Sequence, residues 1–136
     1  IGLDCSGLVI RILENFVDAK NIFRQGINKT NADTLTSKSL CREIKSVAQM
    51  APGDMIRFKQ GRHVALIVGV SSEIITYIHS SSSLTFEPGV HLGKIRILEK
   101  SKGLENQEFL EKTKTGGNFG RKYYQISSGD GVFRLK

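Results

Sequence analysis

The sequence predicts an α+β domain in which one helix precedes a run of antiparallel strands. Apolar residues recur at helical spacing near the N-terminus, and apolar runs of strand length fill the middle of the chain. Glycine, proline, serine and aspartate separate these runs at turn-like intervals. Because the helix and the strands are segregated along the chain, an α+β arrangement is favoured over an alternating one.

The predicted helix is based on one apolar stripe near the N-terminus. Asp4 is suited to cap this helix, so Cys5 falls in the first turn, and the pattern fades near Lys20. The helix therefore has one side on which it can pack against a sheet. The residues of the stripe are spaced for one helix face: Leu8, Val9, Ile12, Leu13, Phe16 and Val17.

Strands are predicted after the turn signal Ala51-Pro52-Gly53-Asp54. Beyond Leu98 we predict a short helix over 104–112 and a hairpin made by 122–127 and 132–135. The segment 99–136 would then be an extension that closes the sheet. Four earlier runs have the length and pattern of strands: residues 55–59, 63–70, 74–79 and 90–98.

Length and charge limit the class of protein. The 136 residues fit one domain covering 1–136, and no apolar run is long enough to cross a bilayer, so no transmembrane segment is expected. The net charge of +7 favours anionic partners, but the basic residues are scattered and no nucleic-acid-binding motif stands out, so nucleic acid is not an expected partner. The chain opens at Ile1 close to a motif, and we expect it to be the mature or excised C-terminal part of a longer protein.

The two cysteines lie in different contexts, and no disulfide is predicted between them. Cys5 in a first helical turn is suited to be a nucleophile, because unpaired backbone N–H groups and the helix dipole stabilise a thiolate there. The alternative is that Cys5 is a small buried hydrophobic residue. Cys41 has no such setting and is predicted to be structural. Three histidines without a C-x-x-C motif do not suggest a structural zinc site.

Two histidines are predicted to meet across a hairpin. His63 opens one strand and His79 closes the next, and their numbers sum to 142, within the 142–144 expected for a tight turn near Ser71-Ser72. One imidazole could take a thiol proton while the other fixes its tautomer. The alternative is that both rings are satisfied by backbone groups or water. His91 has no evident partner in the sequence and is predicted to lie on the surface.

Together these segments resemble the NlpC family of bacterial cell-wall cysteine peptidases. The matching segments occur in family order and with family-like spacing between Leu3 and Leu98. The resemblance implies a papain-like core with the nucleophile helix packed on an antiparallel sheet. The segments are Leu3-Asp4-Cys5-Ser6-Gly7-Leu8-Val9, Ala51-Pro52-Gly53-Asp54-Met55-Ile56-Arg57-Phe58, His63-Val64-Ala65-Leu66-Ile67-Val68-Gly69 and Tyr77-Ile78-His79-Ser80.

By this resemblance the chain is expected to hydrolyse peptide bonds in peptidoglycan stem peptides, of the D-glutamyl-diamino acid type, through an acyl-enzyme. Cys5 would be the nucleophile, His63 the general base and His79 the orienting residue, while Asp4 and Ser6 would shape the site around the substrate's amino end. No metal or organic cofactor is implied. We expect a monomer that acts in the bacterial cell envelope or is secreted.

Other functions stay open from the sequence. The same dyad could serve an amidase that cuts the sugar–peptide link, or an acyltransferase. A non-catalytic wall-binding module would bind the same peptides without forming a thiolate. Family members carry a tyrosine before the cysteine helix, near the oxyanion site, and this chain begins after that position.

Overall fold

The structure, a computed structural model, describes residues 8–9, 12–13, 31–81 and 89–136. Within these residues the chain is α+β, as predicted, and its main element is an antiparallel sheet. None of the helices in this part of the chain combines the length and apolar character required to cross a membrane.

Seven strands form one sheet in the described residues. The strands are β1 Cys41–Ile44, β2 Met55–Phe58, β3 His63–Val70, β4 Ile74–Ser81, β5 Gly89–Arg96, β6 Glu108–Phe109 and β7 Gly131–Leu135. Their order across the sheet is β1-β7-β2-β3-β4-β5-β6, and every neighbouring pair is antiparallel. The predicted strands that start at 55, 63, 74 and 90 correspond to β2, β3, β4 and β5, which hold most of the candidate site.

The helices in the described residues are short. Helix α1 spans Ala32–Leu35 and α2 spans Phe119–Tyr123, and an asparagine side chain caps each of them. Single 3-10 turns lie at Val47–Gln49, Lys59–Gly61, Leu104–Asn106 and Ile126–Ser128.

Four residues of the predicted N-terminal helix are described, and all four are helical: Leu8, Val9, Ile12 and Leu13. Val9 and Leu13 are fully or almost fully buried, which confirms the apolar stripe at these positions. Asp4, Cys5 and Ser6 lie outside the described residues.

The sheet buries side chains on both faces, because successive residues of a strand point to opposite sides. Along β3, Ala65 and Ile67 belong to one buried cluster, whereas Val64 and Leu66 belong to another. The first cluster, here called the aromatic core, includes Phe58, Tyr77, Phe109 and Phe119. The second, here called the helix-side core, includes Val9, Leu13, Met55 and Phe133.

The helix predicted over 104–112 is wrong. A single 3-10 turn, Leu104–Asn106, and the short strand β6 occupy that segment. The physical reason is Gln107, whose buried side chain binds backbone groups of the preceding loop. Its Oε1 accepts from the N–H groups of Leu98 and Glu99 at 2.7 and 2.9 Å, and its amide nitrogen donates to the Gly103 carbonyl at 3.0 Å. These bonds hold a compact loop in place of a helical turn.

The predicted closing hairpin is also wrong. Residues 119–123 form α2, and β7 does not pair with a neighbour in sequence but lies between β1 and β2. The buried carboxylate of Asp130 helps to fix this path, since its Oδ2 accepts from the N–H of Gln125 at 2.9 Å. Gly129 adopts φ 90°, a conformation that favours glycine, immediately before β7. The segment 99–136 therefore contributes an internal strand of the sheet.

Candidate functional site

The β3–β4 hairpin brings His63 and His79 together, as predicted. Leu66 pairs with Ile78 and Ile67 pairs with Tyr77, so the paired numbers sum to 144, at the upper end of the expected range. His63 Nε2 lies 2.7 Å from His79 Nδ1, and both residues are buried. The predicted proximity of the two rings is confirmed, while their catalytic roles stay predictions.

His91 is not a surface residue without partners, and that prediction is wrong. It pairs with His79 across β4 and β5, and the two ring centroids are 4.4 Å apart. Its side chain is 18% exposed, and Nε2 lies 3.0 Å from Glu111 Oε2. Seven residues join β4 to β5, and a connection of this length does not fix the register of the two strands. Counting residues therefore could not predict the contact between His79 and His91, as it did for His63 and His79.

Glu111 is a member of the site that the sequence did not reveal. Its Oε2 lies 2.9 Å from His79 Nε2, and its Oε1 accepts a hydrogen bond from the Tyr77 hydroxyl. The backbone carbonyl of Glu111 accepts from Phe119 N at 3.0 Å, which ties this residue to the start of α2. A single glutamate that lies 20 to 34 residues from its partners carries no motif, so its position becomes evident only from the fold.

A glycine on β5 permits the Tyr77–Glu111 bond. Gly93 lies directly opposite Tyr77, and a Cβ at Gly93 would overlap the tyrosine ring. The absence of a side chain there lets the ring pass over β5 toward Glu111. Burial and the nearby Glu111 carboxylate raise the pKa of Tyr77 well above its ordinary value, so the hydroxyl stays protonated and donates.

Gly93→Ala is therefore expected to destabilise the fold by about 1–3 kcal/mol, because an added methyl group must displace the buried Tyr77 ring. Urea denaturation measures the change. The matched control is Gly69→Ala in β3, where a Cβ would make only an ordinary 3.9 Å contact with Thr76. That control should change the free energy of unfolding by less than about 0.5 kcal/mol. Equal losses in the two variants would contradict the account of Gly93.

The hydrogen-bond chain assigns a tautomer to each of two rings. The Glu111 carboxylate only accepts, so His79 Nε2 carries a proton and donates to it. In a neutral His79 ring, Nδ1 then has the free lone pair and accepts from His63 Nε2. The proton of His63 is thus on Nε2, which leaves Nδ1 as the ring nitrogen that can take a proton.

Aromatic neighbours keep His63 in a dry environment. Its ring centroid lies 5.9 Å from that of Phe58 and 6.1 Å from that of Phe119, and the residue is 4% exposed. Burial lowers the pKa of His63 to about 3, with smaller electrostatic contributions from His79, Lys59 and His91. In these surroundings His63 is neutral near pH 7, and its imidazolium form requires a negative charge beside it, such as a thiolate.

Cys41 has the surroundings of a structural cysteine, as predicted. It is 1% exposed, and its thiol donates to the carbonyl oxygen of Leu35 at 3.2 Å. Burial raises the pKa of Cys41 to about 11, partly offset by the positive charge of Lys136. A thiolate is therefore strongly disfavoured at Cys41, and this residue is unsuited to be a nucleophile.

An apolar cavity of about 550 Å³ lies by the helix-side core, away from the imidazoles. Its lining includes Ile12, Leu13, Pro52 and Leu66. Leu66 belongs to the helix-side core, whereas His63 packs against Phe58 and Phe119 of the aromatic core. The size of this cavity alone does not identify it as a catalytic site, because the cluster of titratable histidines and Glu111 lies elsewhere.

The remaining predicted site residues, Asp4, Cys5 and Ser6, lie outside the described residues, so their roles stay predictions. Comparison of the chain with protein-family models, curated proteins and solved structures gives no match.

Proposed function

We propose that this chain is a cysteine peptidase that hydrolyses peptide bonds in peptidoglycan stem peptides. Cys5 is the nucleophile, His63 the general base and His79 the residue that orients the base. The observation that carries the proposal is the hydrogen-bond chain from Glu111 through His79 to His63, which leaves His63 Nδ1 as a proton acceptor. A base held in one tautomer by a buried partner is the arrangement that thiol activation requires.

In the proposed reaction, Cys5 Sγ gives its proton to His63 Nδ1 and attacks the scissile carbonyl carbon. The resulting His63 imidazolium donates from Nε2 to His79, whose own Nε2–H is held by the Glu111 carboxylate. The imidazolium then gives its proton to the leaving amine as the C–N bond breaks. In the second half, His63 takes a proton from water, the hydroxide attacks the thioester, and the proton returns to the departing sulfur.

The proposal sets a condition on how sulfur reaches the base. Val9 and Leu13 pack in the helix-side core, whereas His63 packs among aromatic-core residues on the other side of the sheet. His63 is the first residue of β3. A nucleophile carried by the segment before Val9 must therefore reach His63 around the beginning of β3 and not across the sheet.

The substrate class follows from the NlpC resemblance and from charge. The papain-like core, the cell-envelope location and the contacts of Asp4 and Ser6 with the substrate's amino end belong to the same proposal. A net charge of +7 suits a protein that works at an anionic cell wall. The bond we propose is the one between D-glutamate and the diamino acid of the stem.

Mass analysis of the products formed from purified stem peptides tests this proposal. We expect two fragments whose summed mass exceeds the substrate by one water, with cleavage after D-glutamate. An amidase would instead separate the sugar from an intact peptide, and an acyltransferase would join the acyl fragment to an added amine. A wall-binding module would retain the peptide without forming any product, and this result would contradict the enzyme proposal.

A further inference from the structure

We propose that His79, His91 and Glu111 form a binding site for a divalent transition-metal ion such as Zn²⁺, and that the bound ion disables His63 as a base. The binding site stands on the geometry of the cluster alone. The inhibitory consequence also depends on the proposed function.

The three ligand atoms already converge. His79 Nε2, His91 Nε2 and Glu111 Oε2 all lie within 4.8 Å of one another, and the carboxylate oxygen is 2.9 and 3.0 Å from the two nitrogens. A tetrahedral Zn²⁺ with bonds of about 2.0–2.1 Å separates its ligand atoms by about 3.3 Å. To admit the ion, the two oxygen–nitrogen distances must widen by about 0.3–0.4 Å, and the two nitrogens, which are at most 4.8 Å apart, must settle at about the same 3.3 Å spacing. Two imidazoles and one carboxylate are also a donor set that Zn²⁺ favours.

Each of the three ligand residues has a second polar atom that faces away from the proposed ion, and each of these atoms already has a hydrogen-bond partner. Glu111 Oε1 accepts from the Tyr77 hydroxyl, His79 Nδ1 lies 2.7 Å from His63 Nε2, and His91 Nδ1 lies 3.2 Å from the carbonyl oxygen of Gly89. Metal-binding histidines and carboxylates in proteins are held by outer contacts of this kind. The converging atoms are thus the ones left to bind an ion.

The contacts of His91 favour a cation between its Nε2 atom and Glu111 Oε2. The Gly89 carbonyl only accepts, so His91 Nδ1 carries a proton. In a neutral ring, the lone pair on Nε2 then faces Glu111 Oε2, another acceptor, at 3.0 Å. A metal ion between these two acceptors would bind both of them and remove their mutual repulsion. The His91 side chain is 18% exposed while that of His79 is fully buried, so an ion would enter from the His91 side.

Metal binding reverses the tautomers on which the base depends. His79 Nε2 must present a lone pair to the ion, so the ring proton moves to Nδ1 and is donated to His63 Nε2. His63 must then accept on Nε2 and carry its proton on Nδ1. The His79 Nε2 proton leaves to solvent, the His63 Nε2 proton passes to His79 Nδ1, and His63 Nδ1 gains one proton from solvent. The two rings keep their total of two protons.

Competition with a chromophoric chelator measures Zn²⁺ affinity independently of hydrolysis. We expect one Zn²⁺ per chain, and a loss of at least about tenfold in affinity for both His91→Gln and Glu111→Gln. Glu108→Gln is the matched control, because Glu108 is half-exposed and pairs with Arg96 on the surface. Cys5→Ala should bind Zn²⁺ as the natural chain does. Circular dichroism establishes that each variant is folded.

Unchanged affinity in both folded variants would overturn the site, and so would loss of binding in Cys5→Ala, which would place the ion on the thiol. In the hydrolysis assay, Zn²⁺ should inhibit the natural chain, and His91→Gln should need at least about tenfold more Zn²⁺ for the same inhibition. Zn²⁺ binding with this pattern in a chain that cleaves no peptide would support the metal site and refute the proposed function. Cleavage without Zn²⁺ binding would support the proposed function and refute the metal site.

Discussion

Cys5→Ala is expected to abolish the release of new amino groups from peptidoglycan stem peptides, a loss of at least about 10³-fold in turnover. The reason is that the proposed acyl-enzyme needs a sulfur nucleophile, and an alanine methyl group offers none. The other cysteine cannot replace it, because Cys41 is buried and hydrogen-bonded to the Leu35 carbonyl. Amine release from purified peptides, measured against time at saturating substrate, gives the turnover directly.

The matched control is Cys41→Ala, the same substitution at the other cysteine. It removes a buried sulfur and should lower stability, but it should leave turnover within about threefold of the natural chain. The free energy of unfolding of Cys5→Ala shows whether that variant retains its fold. Turnover that survives in folded Cys5→Ala, or disappears equally in folded Cys41→Ala, would refute the assignment of the nucleophile.

His63→Gln is expected to lower kcat by about 10²–10⁴-fold, the usual contribution of a general base. A glutamine amide can still hydrogen-bond to His79 Nδ1, which the His63 ring approaches to 2.7 Å, but it cannot accept a proton from a thiol. The substitution therefore separates base chemistry from packing. Burst and steady-state kinetics on the same stem peptides provide kcat.

Glu111→Gln makes a graded comparison with His63→Gln. This variant leaves both rings in place but removes the carboxylate that fixes the His79 tautomer, so kcat should fall by about 10–100-fold. We expect the loss in His63→Gln to be the larger of the two. A His63→Gln variant that works within about threefold of the natural chain would show that another group activates the nucleophile.

The parts of the site that could be predicted are those joined by short connections. The β3–β4 turn is so short that counting residues was enough to bring His63 near His79. The N-terminal stripe was likewise local, and its four described residues are helical. The local sequence pattern therefore predicted the helix face and one hairpin, because both depend on residues that are close together in the sequence.

The rest of the site depends on contacts that local pattern does not encode. Glu111 reaches His79 only because β6 pairs with β5 and the following chain is tied to α2. Similarly, β7 has the pattern of a strand, but nothing in that pattern tells whether it pairs with its neighbour or enters between β1 and β2. Buried side chains such as Gln107 form hydrogen bonds with the backbone that stabilise a loop where the sequence pattern predicted a helix.

The pH profile of Cys5 alkylation by iodoacetamide, read by peptide mass spectrometry, measures proton transfer from the thiol to His63 most directly. In the natural chain Cys5 should label at a pH well below 8.5, the ordinary pKa of a thiol, and His63→Gln should move that profile upward by at least about one pH unit. Cys41 serves as the internal reference, since burial raises its pKa to about 11 and the folded chain should leave it unlabelled. A Cys5 profile centred near 8.5 in both proteins would contradict the dyad.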